Sequence, residues 1–326
     1  MYLLTKVVLA VMLGFISSAL VGLVLVPLLK RMKIGQRIST YMDFAHREKE
    51  GTPTMGGLIF IFSTIIVMLF LLFTGRVSFN SDLKIVFFVF VSYAIIGFLD
   101  DFLSIKHGKN EGLTVLQKFF LQLIVALVFF YLYMKNGGKT SLIITTLGIH
   151  IEMKWLYGIF ILFILVGSSN AVNLTDGLDG LAAGLSGIAF IAFSLISLMV
   201  GYTDMGIFTL VLTGSLIGFL IYNGYPAKVF MGDTGSLALG AVMGTIAIIT
   251  HREVTLLIVA LVFVIETLSV IIQVFWYKTF KKRLFLMTPI HHHFQKLGWS
   301  EVEIVRTFWV FGFILAMAGI IFGVWI

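Results

Sequence analysis

LLTKVVLAVMLGFISSALVGLVLVPLL, residues Leu3 to Leu29, is the stretch on which the fold turns. Wound as an α-helix at about 1.5 Å per residue it rises roughly 40 Å. That exceeds the roughly 30 Å hydrocarbon core of a bilayer. The run is too long for the apolar segment of a signal peptide and lacks a small-residue cleavage site. It therefore reads as a retained first membrane span.

Runs of the same kind recur to the end of the chain. Ten spans can be drawn, at about 3–29, 55–74, 83–100, 115–134, 155–172, 180–200, 206–222, 236–250, 254–277 and 307–325. Hydrophobic residues make up 59% of the 326 and charged residues 12%, with a mean hydropathy of +1.06. No soluble domain needs so much apolar surface. No polar stretch is large enough to fold separately, so residues 1–326 are expected to form one all-α polytopic membrane domain. There is no internal repeat of the kind inverted-repeat transporters carry.

Sixteen of the 23 lysines and arginines fall in or beside the odd-numbered loops. The bias places those loops on the cytoplasmic side and, with ten spans, both termini outside. The net charge of +7 follows from the same rule, and no basic tail or platform of stacking aromatics suggests nucleic acid. The chain has no cysteine, which excludes disulfides, thiolate metal sites and cysteine nucleophiles. Pro27 is expected to end the first span, while Pro53, Pro226 and Pro289 stiffen loops one, seven and nine. Between Asn136 and Lys154, apolar and polar residues alternate around a glycine, the pattern of a small outer hairpin.

Each unusual polar cluster lies in an odd loop or at its edge, so five clusters can converge on one membrane face. Asn173-Leu-Thr-Asp-Gly-Leu-Asp-Gly-Leu-Ala-Ala-Gly184 puts Asp176 and Asp179 among glycines. Spaced three apart at a helix start, both can face one site, and carboxylates in a glycine-rich turn suit a hard cation that itself holds phosphate. Capping alone would account for one of them. Asp100-Asp101 closes the third span, where the helix dipole disfavours negative charge. Adjacent carboxylates need a cation or a shared proton. One can position a metal while the other acts as base or nucleophile. In Gly232-Asp-Thr-Gly-Ser236 a helix N-terminus follows glycines that allow close backbone approach, a cradle for phosphate with Asp233 available for Mg²⁺. His291-His292-His293 point in different directions, which makes a zinc tripod geometrically poor and leaves phosphate contact or proton transfer for one or two of them. Lys278 to Arg283, beside Trp276 and Tyr277, read as an interfacial anchor near lipid headgroups. Glu266 is an acid inside the ninth span with no partner in the sequence, sharing a helix face with Gln273.

Five motifs together resemble the polyprenyl-phosphate N-acetylhexosamine-1-phosphate transferases over nearly the whole chain. They are GTPTMGG at Gly51–Gly57, DD at Asp100–Asp101, NLTDGLDGLAAG at Asn173–Gly184, FMGDTGSLALG at Phe230–Gly240 and PIHHHF at Pro289–Phe294. The triple histidine with its preceding Pro-Ile favours the muramoyl-pentapeptide branch. The resemblance implies transfer of a phosphosugar from UDP-N-acetylmuramoyl-pentapeptide to undecaprenyl phosphate, giving lipid I and UMP. It also implies Mg²⁺, a bacterial plasma-membrane location with a cytoplasmic site, and a homodimer. By the same resemblance Asp233 would be the principal metal ligand, with Asp101 near the metal. Asp100 would activate the lipid phosphate, and Lys118 would be a phosphate cation. Lys49, Thr54, Asn173, Asp176, Asp179, Asn223, Phe230 and Gln273 would form the nucleoside and sugar pocket. His291 and His292 would contact the phosphate or sugar side, with His291 in a catalytic part.

A GlcNAc-1-phosphate transferase on the same scaffold is the nearest alternative, and loop nine argues against it. A cation-coupled transporter should carry acids mid-span near the membrane midplane. Here only Glu266 lies clearly mid-span, and the clustered acids sit at helix ends.

Overall fold

The computed structural model describes residues 2–32, 51–107 and 112–324. Helices dominate. They are α1 (Leu3–Arg31), α2 (Gly57–Phe73), α3 (Ser81–His107), α4 (Val115–Lys135), α5 (Leu156–Thr175), α6 (Leu181–Met199), α7 (Thr203–Asn223), α8 (Gly232–Ile249), α9 (Glu253–Val259), α10 (Leu261–Phe280), α11 (Ile290–Lys296) and α12 (Glu301–Val324). Among the described residues nine helices are long and apolar enough to cross a membrane, and the 17-residue α2 is a shorter apolar helix. The chain is an all-α polytopic membrane protein.

The centre of the bundle is α6, α7 and α8. In α8 89% of the apolar stretch is buried, against 17% in α4 and 22% in α1 and α10. A helix apolar on every side belongs inside a bundle or against lipid, and burial sorts these into the two kinds. Inside a bilayer, apolar side chains gain little by leaving lipid, so close backbone packing through small residues holds helices together. The most extensive helix pair, α1 with α7, shows this. A β-carbon on Gly14 would overlap the Val211 carbonyl, and one on Gly214 the Val11 carbonyl. Packed on this centre, α3 and α5 both lie against α8.

Several boundaries differ from those read in the sequence. The third span runs on to His107, so Asp100 and Asp101 sit inside α3 rather than opening a loop. Polar residues beyond an apolar segment can continue a helix when their side chains find partners, and these do. α1 passes through Pro27 and ends at Arg31. The missing Pro27 N–H costs one backbone bond near a helix end and does not terminate it. The ninth span is broken at Ala260 (φ −96°, ψ 15°) into α9 and α10. The hairpin is present: β1 (Ser141–Ile144) pairs antiparallel with β2 (Ile149–Glu152), Ser141 opposite Glu152, and Gly148 turns the chain at φ +63°.

Candidate active site

One end of α8 gathers residues from four other segments. Its first residue, Gly232, has φ +74°, and a β-carbon there would stand 2.5 Å from Asp101 Oδ2 and 2.7 Å from Thr54 Oγ1. Only glycine fits both the conformation and the space. Asp101, buried in the second half of α3, accepts hydrogen bonds from the Asp233 N–H (3.2 Å), the Thr234 N–H (3.0 Å) and the Thr234 hydroxyl (2.6 Å). Its carboxylate thus supplies the partners that the first turn of α8 lacks. Gly97, one turn back on α3, makes the approach possible, since a β-carbon there would overlap the Asp233 carbonyl.

That junction aims Asp233 at three other side chains. Its carboxylate accepts from the Lys118 ammonium of α4 and, at 2.7 Å, from Asn173 Nδ2 of α5. Asn173 also donates to Ser236 Oγ at 2.9 Å. Lys118 Nζ lies 3.3 Å from Asp100 Oδ2, and Asp100 Oδ1 accepts from the Leu113 N–H at 2.9 Å. All three charged side chains keep about a fifth of their surface or less. A lysine is held between two acids at the wall of a membrane protein, which concentrates charge where burial makes it costly.

Asp176 closes α5 and lies partly buried beside this network, accepting from the Gly232 N–H. Burial, reinforced by the negative charge of Asp233 and Asp101, pushes its carboxyl up to about 8. Asp100, Asp101 and Asp233 bring three carboxyl groups to the one ammonium of Lys118. Among the described residues no three His, Asp or Glu side chains form a ready-made metal cage. Asp233 and Asp100 nonetheless offer hard carboxylate oxygens around one ammonium. Mg²⁺ is commonly bound by one or two carboxylates with waters and substrate phosphates completing the shell, so this donor set fits it. Asp101 is differently employed, with both oxygens taken by α8.

The other expected pocket residues divide. Thr54 stands beside Gly232, and Phe230 sits half-buried in a backbone ladder: Phe230 N–H donates to Pro53 O (2.8 Å), while Gly56 and Gly57 N–H donate to Phe230 O and Met231 O (2.8 and 2.9 Å). This ladder joins the first and fourth motifs. Asp179 does not join Asp176 on one helix face; both lie in the turn between α5 and α6. Asp179 accepts the Ala227 N–H at 2.9 Å, and its own N–H donates to Glu301 at 2.6 Å. Asn223 is buried at the end of α7 and donates to Val229 O at 3.0 Å, so it too holds loop 224–231. Gln273 accepts from the Leu284 and Phe285 N–H groups and donates to Phe285 O, propping the loop before α11. His291 is fully buried, and His292 contacts Gln295 at 2.7 Å. Lys49 lies outside the described residues.

Thr234, Ser236 and Glu301 are partners that the sequence reading passed over. Ser236 stands three residues beyond Asp233, a spacing that faces it toward Asn173 and was available as a signal. Glu301 had none, because Ser300 and Glu303 form the capping box of α12 and Glu301 resembles a first-turn acid. Replacing Asp101 with alanine is expected to destabilise the protein by about 1–3 kcal/mol, the range for a lost cap with buried donors left unpaired. Thermal unfolding in detergent measures it, and an unchanged midpoint would refute the capping role.

The chain is similar to known proteins over nearly its whole length. The family description "Glycosyl transferase family 4" matches residues 83–251, from early α3 to the end of α8. The phospho-N-acetylmuramoyl-pentapeptide-transferase signature 1 matches residues 49–61. A phospho-N-acetylmuramoyl-pentapeptide-transferase of Geobacillus sp. (strain WCH70) is 45% identical over 319 residues, covering 98% of each chain. That of Oceanobacillus iheyensis is 45% identical over 319 residues (97% of this chain, 98% of its own). That of Bacillus subtilis (strain 168) is 45% identical over 317 residues, 97% of each. With identity sustained from end to end and the signature lying on the segment that braces Gly232, the chain belongs to the phospho-N-acetylmuramoyl-pentapeptide transferase family, within glycosyl transferase family 4.

Proposed function

We propose that the protein transfers phospho-N-acetylmuramoyl-pentapeptide from its UDP-linked donor to undecaprenyl phosphate, yielding lipid I and UMP at the cytoplasmic face of the membrane. The observation that carries this is Lys118 held between Asp100 and Asp233 where α3, α4, α5 and α8 meet. A lipid phosphate can reach that point sideways from the bilayer and a nucleotide from the water. What supports the cytoplasmic side is the sixteen lysines and arginines in or beside the odd-numbered loops.

An oxygen of the lipid phosphate attacks the phosphorus that bears the sugar, and the bond from that phosphorus to the UMP oxygen breaks. Asp100 takes the proton of the lipid phosphate where it carries one. Its oxygens, held by Lys118 and the Leu113 N–H, suit a fixed proton acceptor better than a free nucleophile. Lys118 neutralises charge on the incoming phosphate, and Asn173 fixes the Asp233 carboxylate. Asp233, with Asp100 near it, would hold Mg²⁺, which supplies charge neutralisation at the diphosphate. Asp176 and Phe230 face the donor side, Phe230 offering a ring to the base.

UMP release by purified protein, given undecaprenyl phosphate and Mg²⁺, tests the reading. Release from UDP-N-acetylmuramoyl-pentapeptide that EDTA abolishes is the expected result. Release from UDP-GlcNAc alone would overturn the donor, and release from neither by folded protein would overturn the transfer itself.

A further inference from the structure

Glu266 lies in α10, a membrane-spanning helix, with no exposed surface. An ionisable group at such a position needs a named partner. Its partner is His291, whose Nδ1 stands 3.1 Å from Glu266 Oε1 with both side chains fully buried. No described group makes an aligned hydrogen bond to either carboxylate oxygen or either ring nitrogen. The two groups thus face one another in a sealed compartment.

On its other side His291 meets the turn after α5. A β-carbon on Gly177 would overlap His291 Nε2, so the ring rests directly on the turn's backbone. Gly177 follows Asp176, which accepts from Gly232, which precedes Asp233. Contacts therefore run without a gap from Glu266 to Asp233. An apolar side chain would fill the same space. A carboxylate beside Nδ1 does something more: its charge attracts the polar edge of the ring and so favours one ring orientation.

We propose that Glu266 and His291 form a buried positioning pair that holds the turn at residues 176–180, and with it Asp176, against the phosphate site. It rests on the donor reading given under Proposed function. His291 acts through the turn and does not touch substrate. Glu266 orients His291.

Calorimetric binding of UDP-N-acetylmuramoyl-pentapeptide with Mg²⁺ to the full chain in detergent tests the pair. Glu266→Leu is expected to weaken donor binding about tenfold or more, the usual scale for loss of an orienting partner. The KM for undecaprenyl phosphate is expected to stay unchanged. Glu266→Gln, which keeps the shape and polarity of the side chain but not its charge, gives a smaller loss and replaces the leucine variant should that fail to fold. His291→Ala weakens binding as Glu266→Leu does, and the double variant is no weaker than His291→Ala alone. Gly177→Ala weakens binding in the unsubstituted protein and costs nothing further beside His291→Ala, because the space over the turn is then open. Losses that add, or binding that Glu266→Leu and Glu266→Gln leave intact, would overturn the pair alone. Failure of the unsubstituted protein to bind the donor would overturn the donor reading and the pair with it.

Discussion

Asp233→Asn lowers UMP release by about a thousandfold or more, the scale expected when one preorganised electrostatic contact at a transferring phosphoryl group is lost together with a metal ligand. The substitution keeps the shape and leaves Asn173 an oxygen to bond. It removes the charge that, with Asp100, holds the Lys118 ammonium. Lys118 then swings toward Asp100 alone, and the hard oxygen available to Mg²⁺ is exchanged for a neutral carbonyl. Asp101 still caps α8 through the backbone of Asp233 and Thr234, so the fold should persist. Turnover at saturating donor, measured beside the thermal midpoint, separates chemistry from folding. A folded variant retaining more than a tenth of the turnover would remove Asp233 from the centre of the reaction.

Gly97→Val is expected to unfold or displace the site altogether. A β-carbon at this position would overlap the Asp233 carbonyl and stand 2.5 Å from the Thr234 nitrogen, backbone atoms that cannot step aside. α3 and α8 must separate, and the bonds from the α8 N-terminus to Asp101 part with them. Overpacking of this kind costs about 1–3 kcal/mol and more where backbone has to move. Here the expected cost is at or above the top of that range, and activity goes with it. Gly167 in α5 is the control, because nothing lies within 4 Å of a β-carbon there. Gly167→Ala should hold or raise the thermal midpoint, alanine being the better helix former. Equal melting of the two variants would show that proximity to α8 is not what Gly97 provides.

The membrane class and the order of spans were legible because stretches of about twenty mostly apolar residues have few other uses. The site was legible through the motifs and the resemblance they carry: Asp100, Lys118, Asn173 and Asp233 do meet. Helix ends were not, because a polar residue at a membrane boundary closes a helix or continues it according to partners elsewhere in the chain. Asp100 and Asp101 continue α3 since Leu113, Lys118 and the start of α8 receive them. Asp179 read as a twin of Asp176, yet it holds the Ala227 backbone, a contact that exists only once loop 224–231 folds back. Gln273 likewise reads as a pocket group until loop 284–285 closes on it. The break at Ala260 had no signal at all, for neither glycine nor proline marks it.

The seam between α1 and α7 bears on how the protein is made. Synthesis runs from the N-terminus, and α1 leaves the ribosome long before the chain reaches Thr203. Its glycine face, which excludes even a β-carbon, matches the backbone of α7 and gains nothing from lipid in the interval. α1 must therefore wait in the bilayer, beside α2, while the four helices α3 to α6 are inserted. Its assembly completes only as α7 arrives, just ahead of the helix that carries Asp233. Late closure of this seam leaves residues 3–31 exposed to mispairing and quality-control proteolysis during biogenesis.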